Sequence, residues 1–413
     1  MTDARAETTA ASVPYSRKRI FFSLVALALG GFGIGSTEFV VMGLLPEIAR
    51  DLLPELYASS TEDAISQTGW LVSAYALGVV VGAPTIAALA ARFPRKTLLL
   101  SLLAAFTLGT ILSAVLPTFG LVLVARFIAG LPHGAYFGVA ALVAASLIGK
   151  ERRGLGVAIV LSGLTIATVI GVPLITLLGQ ASSWRVAYLA VAALFALTFV
   201  AVAWVLPKQP GDPTATLARE LTVFKRSQVW LALLIGAVGF GGFFAVYTYI
   251  APVVTHVTQL DATFVPVVLV AIGLGMTIGN IAGGRGADHH ILGTIFVCFG
   301  LFVVSLIAFA LFATTTPGLL ITAFLVGGAA SALSPAIQTR LMDVAGESQT
   351  LAAAINHASL NLGNSLGAFI GGATIAAGLG YVSPAWAGLA LCIGGILLAL
   401  FAVALEKRRP ILR

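Results

Sequence analysis

Long apolar runs follow one another along the whole chain and are separated by short polar stretches. A helix that crosses the hydrocarbon core of a bilayer needs roughly 20 apolar residues, whereas the strands of a membrane barrel are shorter and alternate in polarity. The runs here are long and do not alternate, so the pattern predicts an all-α membrane protein with twelve transmembrane helices. The predicted spans are residues 20–45, 66–90, 98–116, 119–147, 154–180, 187–206, 229–254, 264–283, 291–312, 318–339, 350–377 and 383–405.

The longest polar interruption divides the spans into two sets of six; it is PKQPGDPTATLARELTVFKRSQ at 207–228. The two sets echo each other, because the second span of each ends in a related stretch, GAPTIAALAAR at 82–92 and GNIAGGRGADH at 279–289. We therefore predict two pseudo-symmetric six-helix bundles, residues 1–206 and 229–413, joined by a linker at 207–228. Repeated halves are typical of secondary transporters, whose substrate site lies near the bilayer midplane between the halves.

Composition supports a membrane location, and the basic residues predict the orientation. Of the 413 residues, 59% are hydrophobic and 9% are charged, whereas soluble domains carry roughly 25% charged residues. If the N-terminus and every second loop face the cytoplasm, 20 of the 23 Lys and Arg residues lie on that side. Cytoplasmic loops carry such an excess, so both termini are predicted to be cytoplasmic. The net charge of +7 thus reflects topology, and no nucleic-acid partner is expected.

Catalytic and metal-binding patterns are not found in the sequence. Cys298 and Cys392 both lie inside apolar spans, where a cysteine is usually a small packing residue. The chain has no nucleophile–base pair, phosphate-binding loop or metal-ligand cluster. We therefore expect no enzyme activity, no cofactor and no metal.

Glu38 is the only one of the 16 acidic residues that falls well inside a predicted span, and Arg126 is its basic counterpart. Each lies seven residues from the outer end of its span, or about 10 Å deep, so a salt bridge or a water-linked contact is geometrically allowed. A bare charge in a span costs roughly 2.5–3.5 kcal/mol, which pairing or protonation relieves. Such a carboxylate suits proton coupling. Two alternatives stay open: Glu38 is solvated at the outer interface, and Arg126 anchors backbone carbonyls.

His133 extends this candidate site. Arg126, Gly130 and His133 recur at i, i+4 and i+7 and therefore share a helical face. Pro132 weakens the helix beside them and allows local bending or hydration. His133 is predicted to relay protons or contact substrate, and a hydrogen-bonded packing role is the alternative. The predicted proton-coupling residues are Glu38, Arg126 and His133.

Polar and aromatic positions in other spans are candidates for substrate contact. His357, Asn361 and Asn364 form a second i, i+4, i+7 stripe, and asparagine amides need hydrogen-bond partners in lipid. Substrate contact and hydrogen bonding between helices are equally compatible with this stripe. The aromatic candidates, for which core packing is the alternative, are Trp70, Tyr75, Phe240, Phe243, Phe244 and Tyr247.

Four stretches carry a resemblance to a known family that covers essentially the whole chain. They are TEFVVMGLLPEIARDL at 37–52, LAARFPRK at 89–96, RFIAGLPHGAYFG at 126–138 and GLTIATVIGVPLITLLG at 163–179. They resemble motifs of the major facilitator superfamily, and the chain looks closest to its twelve-span drug:proton antiporter branch, near arabinose-type sugar efflux permeases and chloramphenicol exporters. The resemblance implies a monomer in the bacterial inner membrane that exchanges small organic molecules for protons.

The resemblance also implies roles for motif residues. In the loop motif, Ala91 and Pro94 stand where the family has aspartate and glycine, and the acid is kept only in the second half, as Asp288. The implied conformational latch comprises Arg92, Arg95, Lys96, Asp288 and Arg340. The implied antiporter motif comprises Gly163, Gly171, Pro173 and Gly179. Its glycines predict a tight, proton-impermeable seam between the halves.

Together these patterns predict a proton-coupled exporter of small organic molecules that works by alternating access. Glu38 would carry the proton, and Arg126 would modulate its affinity for the proton. The alternative is a facilitator or proton symporter for uptake on the same fold. The aromatic candidates favour a drug-like substrate and the Asn/His stripe favours a polar, sugar-like one, so the sequence does not decide between them.

Overall fold

The computed structural model describes residues 15–90, 93–149, 153–211, 226–345 and 349–408, and within these ranges it contains helices and turns but no β-strand. The helices are α1 (Arg17–Gly43), α2 (Leu45–Leu52), α3 (Pro54–Ser59), α4 (Thr61–Thr68), α5 (Trp70–Ala90), α6 (Arg95–Val115), α7 (Phe119–Gly130), α8 (His133–Ile148), α9 (Arg153–Ile166), α10 (Val172–Ala181), α11 (Trp184–Val205), α12 (Ser227–Thr248), α13 (Val265–His289), α14 (Ile291–Phe312), α15 (Thr316–Ala345), α16 (Gln349–Ala376) and α17 (Ser383–Arg408). The predicted all-α architecture is confirmed.

Eleven helical segments of the described ranges are long and apolar enough to cross a membrane, and each overlaps one predicted span. The remaining predicted span, 350–377, corresponds to α16, which has 28 residues but carries several Asn, Ser and His side chains. Its polar side chains make it less apolar than the other long helices. The count of twelve spans and the cytoplasmic location of the termini stay predictions.

Three spans are interrupted next to a proline. Proline lacks a backbone N–H, and its ring crowds the carbonyl four residues earlier. Pro132 separates α7 from α8, a π-helical turn at Ala167–Gly171 precedes Pro173, and α12 ends just before Pro252. Because α8 begins directly after Pro132, His133 is its first residue. The break therefore places this histidine in the middle of the fourth span.

The same helix contacts occur in both halves of the chain. α1 packs on α9 and α11 as α12 packs on α16 and α17, and the α5–α7 contact matches the α13–α15 contact. Glycines permit the last two contacts, because a Cβ at Gly82 would collide with the carbonyl of Leu131, and one at Gly279 with the carbonyl of Gly328. The packing thus repeats, while the domain boundaries stay predictions. Much of the predicted linker, residues 212–225, lies outside the described ranges.

One end of the bundle, here called the linker face, holds the start of α1 and the end of α11 beside the linker. Arg19 Nε donates to the carbonyl of Val205 at 3.0 Å. Lys96 Nζ donates to the carbonyls of Ala203 and Leu206 at 2.7 Å each. Lys96 thereby satisfies carbonyl groups at the C-terminal end of α11 that have no partner within the helix.

The opposite end, here called the far face, holds the short helices α2, α3 and α4. Asp51 Oδ2 accepts hydrogen bonds from Trp184 Nε1 and Arg185 Nη2, both at 2.9 Å, and so ties α2 to α11. Glu47, also in α2, is partly buried, and its Oε2 has no hydrogen-bond partner. Burial raises the pKa of the Glu47 carboxyl, and its own backbone N–H and the charge of Arg50 oppose that rise.

The two halves contact each other towards the far face. Ser66 Oγ donates to the carbonyl of Gly372 at 2.8 Å, and Ser73 Oγ donates to the carbonyl of Ser365 at 3.1 Å. At the linker face, no hydrogen bond between described residues joins the first half to the second. The interior of the bundle is therefore closed at the far face.

Candidate functional site

Glu38 lies in the interior of the bundle and is 5% exposed. It follows the glycine-rich stretch of α1, where Gly31 and Gly35 let the backbone of α9 approach closely. Oε1 of Glu38 accepts a hydrogen bond from Asn364 Nδ2 at 3.1 Å, and Oε2 lies 3.9 Å from His133 Nδ1. The carboxyl therefore has a neighbour from each half: a hydrogen bond from α16 and, without one, the imidazole at the start of α8. The alternative that Glu38 is solvated at the outer interface is wrong.

Arg126 is fully buried, but it forms no ion pair with Glu38. Its Nη1 donates to the carbonyl of Thr37 at 3.0 Å and to Thr37 Oγ1 at 3.3 Å. The guanidinium lies 4.4 Å from the centroid of the Tyr75 ring and 5.5 Å from that of Tyr188. The backbone of α1 and the two rings orient the guanidinium, so the anchoring role left open for Arg126 is observed and a direct salt bridge is not.

Two histidines from different halves form an aromatic cluster beside Glu38. His133 Nδ1 lies 3.1 Å from the hydroxyl of Tyr75, and its ring centroid lies 6.3 Å from that of His357. Phe137 stacks on His357 at 5.5 Å with nearly parallel planes and contacts His133 at 5.4 Å. The structure thus brings the predicted proton-coupling residue His133 next to His357, which was predicted for substrate contact.

The predicted aromatic wall of α12 is buried and faces α1. Phe39 stacks on Phe244 with ring centroids 6.3 Å apart and contacts Tyr247 at 5.6 Å. Phe240 and Phe243 complete a continuous set of ring contacts on α12. The Tyr247 hydroxyl is buried without a hydrogen-bond partner. These rings lie next to the buried acid, and their contact with substrate stays a prediction.

Trp70 does not join the other predicted substrate residues. It is 45% exposed and lies on one stripe of α5 with Leu77 and Val81, which are also exposed. A stripe of exposed apolar residues on a membrane helix faces lipid, so Trp70 belongs to the outer surface of the bundle. Asn361 is buried, but its amide donates to the carbonyl of His357 in the same helix at 3.0 Å. Of the polar stripe, only Asn364 reaches across to the other half by a hydrogen bond.

The predicted latch residues do not form one cluster among the described residues. Asp288 is exposed, and no ion pair with another described residue involves it. Arg340 instead binds Glu406 Oε2 at 2.6 Å and Gln228 Oε1 at 3.4 Å, which ties together the linker-face ends of α12, α15 and α17. The backbone N–H of Arg95 donates to the carbonyl of Gln209 in the linker at 3.1 Å. Lys96 caps α11 as described above, and Arg92 lies outside the described residues.

The glycines of the predicted antiporter motif pack within the first half, not between the halves. A Cβ at Gly163 would collide with the carbonyl of Ala28, and one at Gly171 with Phe32 and Ser36, all in α1. Gly179 faces Leu44 and Ala187. Pro173 is buried and lines a shallow apolar groove between α10 and α13. The predicted seam at these glycines is therefore an α1–α9–α10 contact, because their faces of the helix turn towards α1.

Several residues at the site were not singled out from the sequence. Thr37 precedes Glu38 and accepts from Arg126, while Tyr188 and Phe137 supply rings to Arg126 and to the histidines. Phe39 could have been predicted from the sequence, because it follows the only acid that lies well inside a predicted span. Nothing in the sequence marks Tyr188 as a site residue. Within the described residues, no group of three or more His, Cys, Asp or Glu side chains is arranged to hold a metal ion.

A buried acid held between two halves of a helical membrane bundle defines a class of protein, the membrane transporters with a central site. The chain belongs to the major facilitator superfamily, because the model of that superfamily matches residues 27–316. Its apolar spans and a relative that is an inner membrane transport protein make it a multi-pass protein of the bacterial inner membrane, and its superfamily acts on small-molecule substrates.

Individual relatives agree with this assignment. The chain is 41% identical over 363 residues to the inner membrane transport protein YdhP of Escherichia coli (strain K12), covering 88% of this chain and 91% of YdhP. It is 33% identical over 380 residues to a chloramphenicol resistance protein of Streptomyces lividans, covering 91% and 95%. The crystal structure of a D-xylose-proton symporter superposes with a TM-score of 0.74 at 17% identity, covering 93% and 97%, and so shares the fold.

Proposed function

We propose that this protein is a proton-coupled exporter of small organic molecules that works by alternating access, with Glu38 as the proton site. The observation that carries the proposal is the position of Glu38, a buried carboxyl held by Asn364 of one half and 3.9 Å from His133 of the other. A charge at this depth costs roughly 2.5–3.5 kcal/mol unless it is paired or neutralised. Protonation removes that cost while the halves are closed around it.

Arg126 is placed to stabilise the other protonation state of Glu38, the deprotonated carboxylate. Its Nε and Nη2 are buried without hydrogen-bond partners, and together they form one edge of the guanidinium. Such an edge binds a carboxylate through two parallel hydrogen bonds. When the halves separate and Asn364 withdraws, the deprotonated Glu38 turns to this free edge. While the far face is open, this carboxylate takes up a proton from that side, and closure around the neutral acid carries the proton towards the linker face.

The energy of one proton is enough for useful export. A proton moving down a membrane potential of about 100 mV supplies about 2.3 kcal/mol. At ~1.4 kcal/mol per tenfold change, this sustains a substrate gradient of about 50-fold. The linker face is assigned to the cytoplasm because the basic residues concentrate there, so the far face opens to the outside.

The direction of transport is supported by the relative that confers chloramphenicol resistance, a phenotype that efflux explains. The rings of Phe240, Phe244 and Tyr247, together with Asn361, are assigned to the substrate region beside Glu38. Their mixed chemistry accommodates a solute with both an apolar ring and polar groups.

The proposal is tested by reconstituting the wild type and Glu38→Gln in liposomes and imposing a pH gradient, with chloramphenicol and arabinose as probes and an internal pH dye as the readout. Glu55→Gln is the matched control, because Glu55 is an exposed acid at the far face. We expect Glu38→Gln to abolish substrate-linked proton flux and Glu55→Gln to leave it intact. Full gradient-driven flux in Glu38→Gln would exclude the assignment. In intact cells, an exporter lowers accumulation of the probe, whereas a symporter raises it.

A further inference from the structure

His357 lies where protons would pass between Glu38 and the linker face. It is on the stripe of α16 that faces the interior, with Asn361, Asn364 and Ala368, and those three are buried. His357 is partly exposed. Because its stripe faces inward, this exposure opens to the interior of the bundle and not to lipid. The hydrogen bonds between the halves lie farther along, at Ser365 and Gly372, so the access comes from the linker face.

Three titratable groups then follow one another in depth. His357 is the ninth residue of α16, about 12 Å from its linker-face end. His133 begins α8 in the middle of the fourth span, and Glu38 lies five residues from the far-face end of α1. The imidazole centroids are 6.3 Å apart, a separation that one bridging water spans. His133 Nδ1 is 3.9 Å from Glu38 Oε2.

We propose that His357 is the exit point of a proton relay that runs from Glu38 through His133 to the linker face, which the proposed function assigns to the cytoplasm. The inference rests on the proposed function of Glu38. The carboxylic acid of Glu38 releases its proton from Oε2 to Nδ1 of His133 and becomes a carboxylate. His133 then passes the proton of its outer ring nitrogen through a water to His357, which becomes imidazolium and releases a proton to water at the linker face. One proton moves, and both histidines end neutral.

The surroundings of the relay favour neutral imidazoles that pass protons and do not store them. The groups that face the relay are Arg126 on α7, Tyr75 on α5, Tyr188 on α11, Tyr247 on α12 and Asn364 on α16. Arg126 is the only cation among them, and it disfavours a second positive charge nearby. The Arg340–Glu406 pair of α15 and α17 lies at the linker face, away from the cluster. Phe137 holds the His357 ring flat against α8.

Because His357 belongs to the second half and His133 to the first, the relay is complete only while the halves are together at this depth. Separation of α16 from α8 would interrupt the path before a proton could leak through the open transporter. His357 is thus assigned to proton transfer and not to substrate recognition.

The relay is tested without a substrate, by time-resolved infrared detection of carboxyl protonation in the purified protein after a pH jump. A passive proton path runs in both directions, so proton uptake by Glu38 reports on the same relay. The carboxyl band of Glu38 is identified by its loss in Glu38→Gln. We compare His357→Phe, which keeps the stacking on Phe137, with His357→Gln as a second variant. His256→Phe is the control, because His256 is exposed at the far face beside Tyr381. Positioned proton-transfer groups contribute about 100-fold or more to rates, so we expect both His357 variants to slow protonation of Glu38 by about that factor.

A merely structural role would give a different result. The variants should change the rate but leave the midpoint of the Glu38 titration in place, and imidazole added to His357→Ala should restore the rate. Protonation at the wild-type rate in both His357 variants would overturn the relay while leaving the proposed function intact. Absence of any Glu38 band in the wild type would instead overturn the proton site itself.

Discussion

Asn364→Leu should open the far face, because the Asn364–Glu38 hydrogen bond crosses between the halves close to their contact. Nδ2 of Asn364 lies 3.1 Å from Glu38 Oε1, and both side chains are buried. Because Glu38 is proposed to be protonated while the halves are closed, this bond joins two neutral groups and contributes about 0.5–1.5 kcal/mol; each ~1.4 kcal/mol changes an equilibrium tenfold. Since this bond exists only while the halves are together, its loss should favour the open far face by roughly 2- to 10-fold.

The assay is a distance measurement between spin labels placed on the two halves at the far face. Ala58→Cys and Leu379→Cys introduce labels at exposed positions, after the buried Cys298 and Cys392 are replaced by alanine. In Asn364→Leu we expect a larger population at long distance than in the labelled parent. The population should be measured in liposomes, where lipid surrounds the bundle.

Asn361→Leu is the matched control for this experiment. The same chemical change is made one turn away, but the Asn361 amide donates to the carbonyl of His357 within its own helix at 3.0 Å. Removing it costs no contact between the halves. If Asn361→Leu and Asn364→Leu give the same distance distribution as the parent, the hydrogen bond does not hold the far face closed and the reasoning is refuted.

Three further variants test the packing and the charges around the site. Arg340→Lys should lower the thermal stability more than Lys407→Arg, because lysine cannot bind Glu406 and Gln228 together as the guanidinium does; equal melting temperatures would contradict this. Glu47→Gln should raise the melting temperature at about pH 8 and leave it unchanged at about pH 4. The raised pKa of Glu47 means that folding disfavours its ionised form, so the wild type loses stability as the pH rises from the unfolded-state pKa through the folded-state value; a gain that persists at low pH would show another cause. Gly82→Ala should destabilise the fold by about 1–3 kcal/mol through overpacking against Leu131, whereas Gly120→Ala, where a Cβ meets open space, should not; the two are compared by thermal unfolding in detergent.

For Glu38 and Arg126, the sequence predicted the depth of each side chain but not its partner. Their shared depth followed from counting along two spans, and the structure places both in the interior. Counting says nothing of the rotation of each helix about its axis, which decides whether two side chains at one depth face each other. Arg126 turns to the carbonyl of Thr37, and Glu38 turns to α16.

In the polar stripe of α16 and among the aromatic residues, spacing again predicts which residues share a face, and packing decides what each one contacts. The i, i+4, i+7 spacing predicted that His357, Asn361 and Asn364 share a face, and they do. Their three different partners depend on what lies opposite each turn of the helix. Trp70 resembles Tyr75 in the sequence, yet one faces outward and the other is buried, because five residues along a helix amount to well over one turn.

Membrane insertion, the approximate limits of the helices and the presence of one intramembrane acid follow from the chain alone, because each depends on residues that are close together in the sequence. The weak point at Pro132 also follows locally, since proline removes a backbone donor, but Pro84 and Pro335 lie inside continuous helices, so proline alone does not decide where a helix breaks. The partners of the acid do not follow in this way. Asn364 is 326 residues from Glu38, and only the packing of α16 against the first half brings them together. The site is therefore a product of the contact between the halves, which no local pattern encodes.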